Sequence, residues 1–182
     1  MAKSKKVIET KCKKIKLVLT DVDGVLTDSG RYFSEKGETL KKFHTRDGMG
    51  VNLLLRNGIK TAILTKENSR IVKQWAKQMN VSKVYFNAIK KEKFLPKIEM
   101  DYGIKSTQIA YIGDDVNDLD LLKKVGLSSS PHDGISAATK IVDYVCKRNG
   151  GQGVLREVAD LILSKKYLHK NKWYYHRFLI EA

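Results

Sequence analysis

Short apolar runs alternate with amphipathic stretches along most of this chain. Ile15 to Thr20 is almost entirely apolar or β-branched, and Thr61-Ala-Ile-Leu-Thr65, Val84-Tyr-Phe86 and Gln108-Ile-Ala-Tyr-Ile112 repeat the pattern. Runs of this kind, without strict alternation, predict strands buried on both faces of a parallel sheet. Between them lie helical spacings. Ile71, Val72, Trp75, Ala76 and Met79 make one apolar face. Asp47 can cap a helix running through Val51 and Leu53 to Leu55, which Gly58 ends. Helices are also predicted from about 91 to 102 and from 154 to 163. Arg31-Tyr-Phe-Ser and Thr39-Leu-Lys-Lys-Phe flank Glu35-Lys-Gly-Glu38 and read as a β-hairpin, with Gly37 in the turn. Gly126-Leu127-Ser128 and Asp143-Tyr-Val-Cys146 read as edge strands. Strands alternating with helices imply an α/β fold, a three-layer, open, Rossmann-like parallel sheet with right-handed crossovers and a β-hairpin insertion. Ligands of such sheets bind beyond the carboxyl ends of the strands.

Composition narrows the picture. A chain of 182 residues with 42% hydrophobic content suits one domain with a full core. Residues 1–14 are polar and lysine-rich and are expected to form a mobile or weakly docked arm, 15–164 a single catalytic domain, and 165–182 a basic, aromatic tail. Cys12 and Cys146 make no C-x-x-C and the four histidines lack zinc-ligand spacing, which fits a reducing cytoplasm. No apolar run is long enough to span a bilayer, and the lysine-rich start lacks the apolar stretch of a signal peptide. A net charge of +15 would suit nucleic acid, but only seven of the 35 basic residues are Arg and the lysines are spread evenly. Neither a nucleic-acid nor a membrane partner is expected, and the basic field instead draws in anionic small molecules.

The chemistry concentrates at strand ends. Asp21 and Asp23 lie one residue apart where the first strand stops, so an extended chain sends both carboxylates to the same side, where they repel unless a cation holds them. Hard oxygen ligands at that spacing suit Mg2+. Gly24 lets backbone N–H groups approach a ligand. Thr65, Lys91 and the group Gly113-Asp114-Asp115 with Asp118 sit at or just beyond other strand ends. With Mg2+ these make a phosphoryl-transfer site: one carboxylate attacks phosphorus, a second moves a proton, a third completes the metal shell. Thr65 and Lys91 hold the non-bridging oxygens.

From residue 15 to about 160 these motifs resemble the haloacid dehalogenase superfamily of phosphatases. The resemblance implies Asp21 as nucleophile and metal ligand, and Asp23 as general acid/base with its carbonyl on the metal. It further implies Thr65 and Lys91 on the phosphoryl group, Asp114 on Mg2+, and Asp115 and Asp118 behind them. Lys90 and Lys93 compete with Lys91 for the lysine role. Only a hairpin and a helix lie between Asp23 and Thr65, so no cap domain is expected. Phe43-His-Thr-Arg-Asp-Gly-Met-Gly50 and Gly150-Gly-Gln-Gly-Val-Leu-Arg-Glu157 resemble the capless branch that dephosphorylates 3-deoxy-2-ulosonic acid phosphates. That branch implies a homotetramer in which hairpin 30–43 covers a neighbouring site. It also implies substrate contacts at Gly24, Arg46, Asp47, Lys66, Glu67 and Arg156. The Arg46-Asp-Gly stretch and Lys91 are similar to enzymes of an eight-carbon octulosonate 8-phosphate used for lipopolysaccharide. Glu67, by contrast, resembles relatives acting on nine-carbon, sialic-acid-type 9-phosphates, and the eight-carbon sugar is preferred.

Blander roles compete. Asp47 serves equally as a helix N-cap, and Arg156 as a partner of Glu157 at a helix start. His44 reads as a hairpin surface residue, and Trp75 and Met79 as core. The tail aromatics Trp173, Tyr174, Tyr175 and Phe178 are expected to dock on a neighbouring subunit. A phospho-accepting signalling domain also uses Asp, Thr, Lys and Mg2+, but its lysine comes late in the chain, whereas Lys91 precedes Gly113-Asp-Asp. A non-catalytic regulatory domain would not need every one of these positions filled.

Overall fold

A computed structural model of the chain describes residues 5–167. Its central sheet has six strands, all parallel, in the order β5-β4-β1-β6-β7-β8. These are β1 (Leu17–Thr20), β4 (Lys60–Leu64), β5 (Lys83–Tyr85), β6 (Ile109–Ile112), β7 (Leu127–Ser130) and β8 (Tyr144–Val145). A separate antiparallel hairpin, β2 (Tyr32–Ser34) and β3 (Gly37–Leu40), is inserted after β1. The apolar run that marks β1 puts it at the centre, paired with β4 on one side and β6 on the other. The chain builds outward to β5, returns across β1, and continues through β6 to β8. This reversal leaves the carboxyl ends of β1, β4 and β6 around one crevice, the position where open α/β sheets bind ligands.

Helices cover both faces. On one side α1 (Lys5–Lys14), α2 (Thr45–Arg56), α3 (Arg70–Gln78) and α7 (Val154–Lys166) pack with Val18, Ile63 and Ala110 into one apolar cluster. On the other, α4 (Leu95–Tyr102), α5 (Leu119–Leu122) and α6 (Ser136–Ile141) pack with Leu17, Leu19, Leu64 and Tyr111. Alternating strand residues thus feed two cores, which is why the strands read as continuous apolar runs. Among the described residues no helix is long and apolar enough to cross a membrane.

Three expectations change. The arm expected over 1–14 is a docked helix from Lys5 onward, with Cys12 fully buried and the Lys11 Nζ 2.5 Å from Asp143 Oδ2. Its lysines hid a narrow apolar contact made by Ile8 and Cys12. The segment expected to be an edge strand at 126–128 is β7, an interior strand. Its serines are buried, and the Asp143 carboxylate accepts from Ser128 N at 3.0 Å. Finally, His44 rather than Asp47 caps α2, its Nδ1 accepting from Arg46 N at 3.2 Å. The tail aromatics lie outside the described residues, whereas Trp75 is half-buried and stacks on Phe43 with ring centres 4.7 Å apart.

Candidate active site

Asp21 directly follows β1, and its N–H donates to the Ile112 carbonyl at 2.9 Å, so β6 continues to hold the chain at the residue that leaves the sheet. Next, Val25, Leu26 and Thr27 all donate to the Val22 carbonyl, winding the chain into a tight turn that brings Asp23 and Gly24 to the crevice. Lys91 opens a 3-10 turn, Lys91–Phe94, and its side chain is fully buried. Its ammonium lies 2.5 Å from Asp21 Oδ2 and 2.6 Å from Asp118 Oδ1. Lys90 and Lys93 are exposed, so Lys91 is the lysine of this site.

Asp118 organises the floor. Oδ1 accepts from Lys91 and, at 2.6 Å, from the buried Tyr111 hydroxyl, while Oδ2 accepts from Asp114 N at 2.9 Å and Asp115 N at 3.2 Å. With four donors already on it, this carboxylate is better suited to framing the site than to binding an ion. Asp115 is exposed and caps the following turn through Val116 N.

The charges do not balance locally. Burial pushes the Asp21 carboxyl up to about 7 despite the Lys91 ammonium, with Asp118 adding to the rise. Burial, then repulsion from Asp21 and Asp118, pushes Asp114 up to about 8. Desolvation works against the charge of Lys91, but Asp21 and Asp118 hold its pKa above the ordinary lysine value. Asp114 Oδ1 is buried with no partner. A Cβ on Gly24, whose φ is +87°, would lie 2.0 Å from Asp114 Oδ2, so only glycine leaves that carboxylate its place. Carboxylate oxygens of Asp21, Asp114 and Asp118 lie within 4.8 Å of one another. An unpartnered oxygen among raised carboxyls fits a hard divalent cation held by Asp21 and Asp114.

Above this floor opens a cleft of about 180 Å³ lined by Asp21, Asp23, Ser29, Thr65, Lys66, Glu67, Asp114, Asp115 and Asn117. Thr65, buried just after β4, receives Glu67 N on its hydroxyl at 3.4 Å. The rim is an ion-pair network. Arg31 reaches Glu67 with two nitrogens at 2.9 Å each, and Glu38 with Nε at 3.2 Å. Lys41 Nζ lies 2.6 Å from Asp23 Oδ1 and 2.9 Å from Glu38 Oε1. Burial alone would lower its pKa, but the bonds to Asp23 and Glu38 raise it above the ordinary value.

Three expected substrate contacts are not brought to this cleft. Arg46 is exposed on the first turn of α2. Asp47 is fully buried, and its Oδ1 accepts from Arg156 N at 2.9 Å, so it caps α7 from the side and does not line this cleft. Arg156 lines a separate cleft with Tyr144, Lys147, Arg148, Glu157 and Asp160, and its Nε donates to Asp160 at 2.8 Å. Conversely, Tyr111, Arg31, Glu38 and Lys41 were not expected here. Tyr111 stands one residue from the end of β6 and carried a signal, a polar hydroxyl in an apolar run. The hairpin residues carried none, because strand alternation does not say which charges fold back over the crevice.

Residues 51–158 match the model of the haloacid dehalogenase-like hydrolase family. The chain is 35% identical over 156 residues to the 3-deoxy-D-manno-octulosonate 8-phosphate phosphatase of Haemophilus influenzae, covering 86% of this chain and 87% of that protein. Among solved structures, that phosphatase from Moraxella catarrhalis, in complex with a magnesium ion, a phosphate ion and 3-deoxy-D-manno-octulosonate, superposes with a TM-score of 0.87. The two are 34% identical, over 93% of this chain and 95% of that one. The cobalt-bound form of the Haemophilus influenzae enzyme gives a TM-score of 0.85 at 32% identity, over 90% of this chain and 98% of that one. The chain belongs to the haloacid dehalogenase-like hydrolases and is a phosphoric monoester hydrolase.

The raised carboxyls give a signed pH dependence. Asp21 and Asp114 bind protons more tightly when folded, moving from an ordinary 3.8 to about 7 and about 8. Without a cation their contribution to stability is full below about pH 4 and is lost as pH rises through these folded values. A divalent cation needs both carboxylates ionised and so opposes that loss. In chelator, these two carboxyls are expected to lower the thermal unfolding midpoint between about pH 4 and 8, and the rise on adding Mg2+ is expected to grow over the same interval. A Mg2+ shift that is flat with pH would refute the assignment.

Proposed function

We propose that this chain hydrolyses the phosphate monoester of a 3-deoxy-2-ulosonic acid through an aspartyl phosphate on Asp21, with 3-deoxy-D-manno-octulosonate 8-phosphate as the leading substrate. The observation that carries the mechanism is the placing of the Asp21 carboxylate between a buried ammonium and an open cleft. Asp21 attacks phosphorus as the ester P–O bond breaks, and the leaving oxygen takes its electron pair and a proton from Asp23. Asp23 then takes a proton from the water that attacks the aspartyl phosphate, and Asp21 is freed as inorganic phosphate leaves. Lys91 and Thr65 hold the non-bridging oxygens through both steps. A bound Mg2+, held by Asp21, Asp114 and the Asp23 carbonyl, would neutralise charge on the phosphoryl oxygens.

The relatives and the rim support this choice of substrate. Octulosonate phosphatases span most of this chain. The Glu67 carboxylate, the feature that resembles nine-carbon enzymes, is forked by Arg31, and this places a guanidinium at the cleft mouth, where a sugar carboxylate could meet it. The alternative is an N-acylneuraminate-type 9-phosphate, for which Glu67 would have to leave Arg31 and face the longer sugar. Comparing kcat/KM on eight- and nine-carbon ulosonate phosphates tests the choice. The eight-carbon ester is expected to lead by at least about tenfold, roughly the weight of one charged contact. A nine-carbon preference would overturn it.

The cleft is closed, on this reading, by a neighbouring copy. Tyr32, Phe33 and Leu40 are 54%, 62% and 62% exposed, an apolar patch toward the open end of the hairpin, with the Arg31 guanidinium 4.9 Å from the Phe33 ring centre. Docked on another copy, it would shut a cleft that has no cap, and a cyclic tetramer would repeat the contact. Arg156, outside its own chain's cleft, would then serve a neighbour's. Replacing Phe33 and Leu40 by Ser is expected to yield monomers by sedimentation and to lower turnover; a tetramer that survives the change, or a wild-type monomer, would refute the assembly.

A further inference from the structure

Lys41 follows β3 at the base of the hairpin, and its side chain is fully buried. A lysine removed from water must be matched by carboxylates, and this one meets Asp23 Oδ1 at 2.6 Å, Glu38 Oε1 at 2.9 Å and Glu67 Oε2 at 3.9 Å. The same Asp23 oxygen also accepts from the Thr27 hydroxyl at 3.3 Å. Both donors therefore grip Oδ1, and no protein group among the described residues takes Oδ2. The Lys41 ammonium is braced from behind: Glu38 is bonded by Arg31 Nε at 3.2 Å and lies 3.5 Å from the Ser69 hydroxyl. The chain from hairpin to Asp23 is thus a continuous set of charged contacts with one end on the proton-transfer carboxyl.

We propose that Lys41 is a positioning residue for Asp23, holding the carboxyl by Oδ1 so that Oδ2 is the oxygen presented to the leaving group, and that it ties this orientation to the place of the hairpin. The inference rests on the reading of Asp23 as the general acid. It gives the lysine a role separate from Lys91, which touches the nucleophile and not the acid. A carboxyl free to rotate would still be present in the cleft but would less often meet the leaving oxygen, the kind of misplacement that costs rate without loss of substrate binding.

The test uses two esters with the full-length protein in saturating Mg2+. Octulosonate 8-phosphate leaves as an alkoxide and needs a proton; p-nitrophenyl phosphate leaves as a stabilised aryloxide and does not. Because the water step that follows is common to both esters, the rate read is that of the first, single-turnover transfer to Asp21: Lys41→Met is expected to lower it about 10- to 100-fold from the sugar phosphate and no more than about threefold from p-nitrophenyl phosphate, with binding of the sugar phosphate little changed. Asp23→Asn should show the same bias more strongly, and the double variant should be no slower on the sugar phosphate than Asp23→Asn alone. Glu38→Gln, which loosens the brace while keeping the ammonium, should show the bias in weaker form and serves if Lys41→Met does not fold. Equal losses on the two esters, or losses that multiply in the double variant, would overturn the role of Lys41. If Asp23→Asn itself shows no bias, the acid assignment falls and this inference with it; if only Lys41→Met and Glu38→Gln lack the bias, the inference alone falls.

Discussion

The pairing of one buried ammonium, Lys91, with Asp21 and Asp118 is the contact on which the rest of the site depends. A charge without access to water is tolerated only when its partners are close and themselves hydrogen-bonded, and deleting one partner of such a set costs about 3–5 kcal/mol. Asp118 meets this condition through Tyr111 and two backbone N–H groups, which belong to the end of β6 and the loop after it. Asp21 meets it through Val22 N and its place beside β6. The clamp thus joins the ends of β1 and β6 to the turn that carries Lys91, and the Asp21 carboxylate it holds by both oxygens also lines the cleft.

Charge is arranged in two tiers. In the lower tier Lys91 faces Asp21, Asp114 and Asp118, one cation against three carboxylates, and burial, with repulsion among the carboxylates added to it, pushes two carboxyls up to about 7 and about 8. A divalent cation would make up the shortage of positive charge. In the upper tier Lys41 and Arg31 face Asp23, Glu38 and Glu67, and the members are close enough that few are free to move alone. The lower tier suits chemistry common to phosphoryl transfer. The upper one involves the inserted hairpin, and none of its ion pairs touches the clamp of Asp21, Lys91 and Asp118.

Much of this was legible in the sequence because it is local. Apolar runs mark β1, β4, β5 and β6, and the polar residues that follow β1, β4 and β6 form the crevice. What escaped depends on contacts distant in sequence. The lysine-rich start conceals a helix because two apolar residues suffice to dock it, and the polar β7 is interior because Asp143 satisfies part of its buried backbone and Ser128. Asp47 has the spacing of a helix cap and is one, but for α7 across 109 residues rather than for its own helix. Lys41 looks like any exposed strand lysine until the hairpin folds back over Asp23.

The central claim is that Asp21, clamped from below and lining the cleft, carries the phosphoryl group. Acid quenching during turnover of octulosonate 8-phosphate, followed by peptide mass spectrometry, measures this directly. The account predicts one phosphoryl group per chain, on the peptide containing Asp21. A phosphoryl group on another residue, or a fully active enzyme in which the peptide is never labelled, would contradict it.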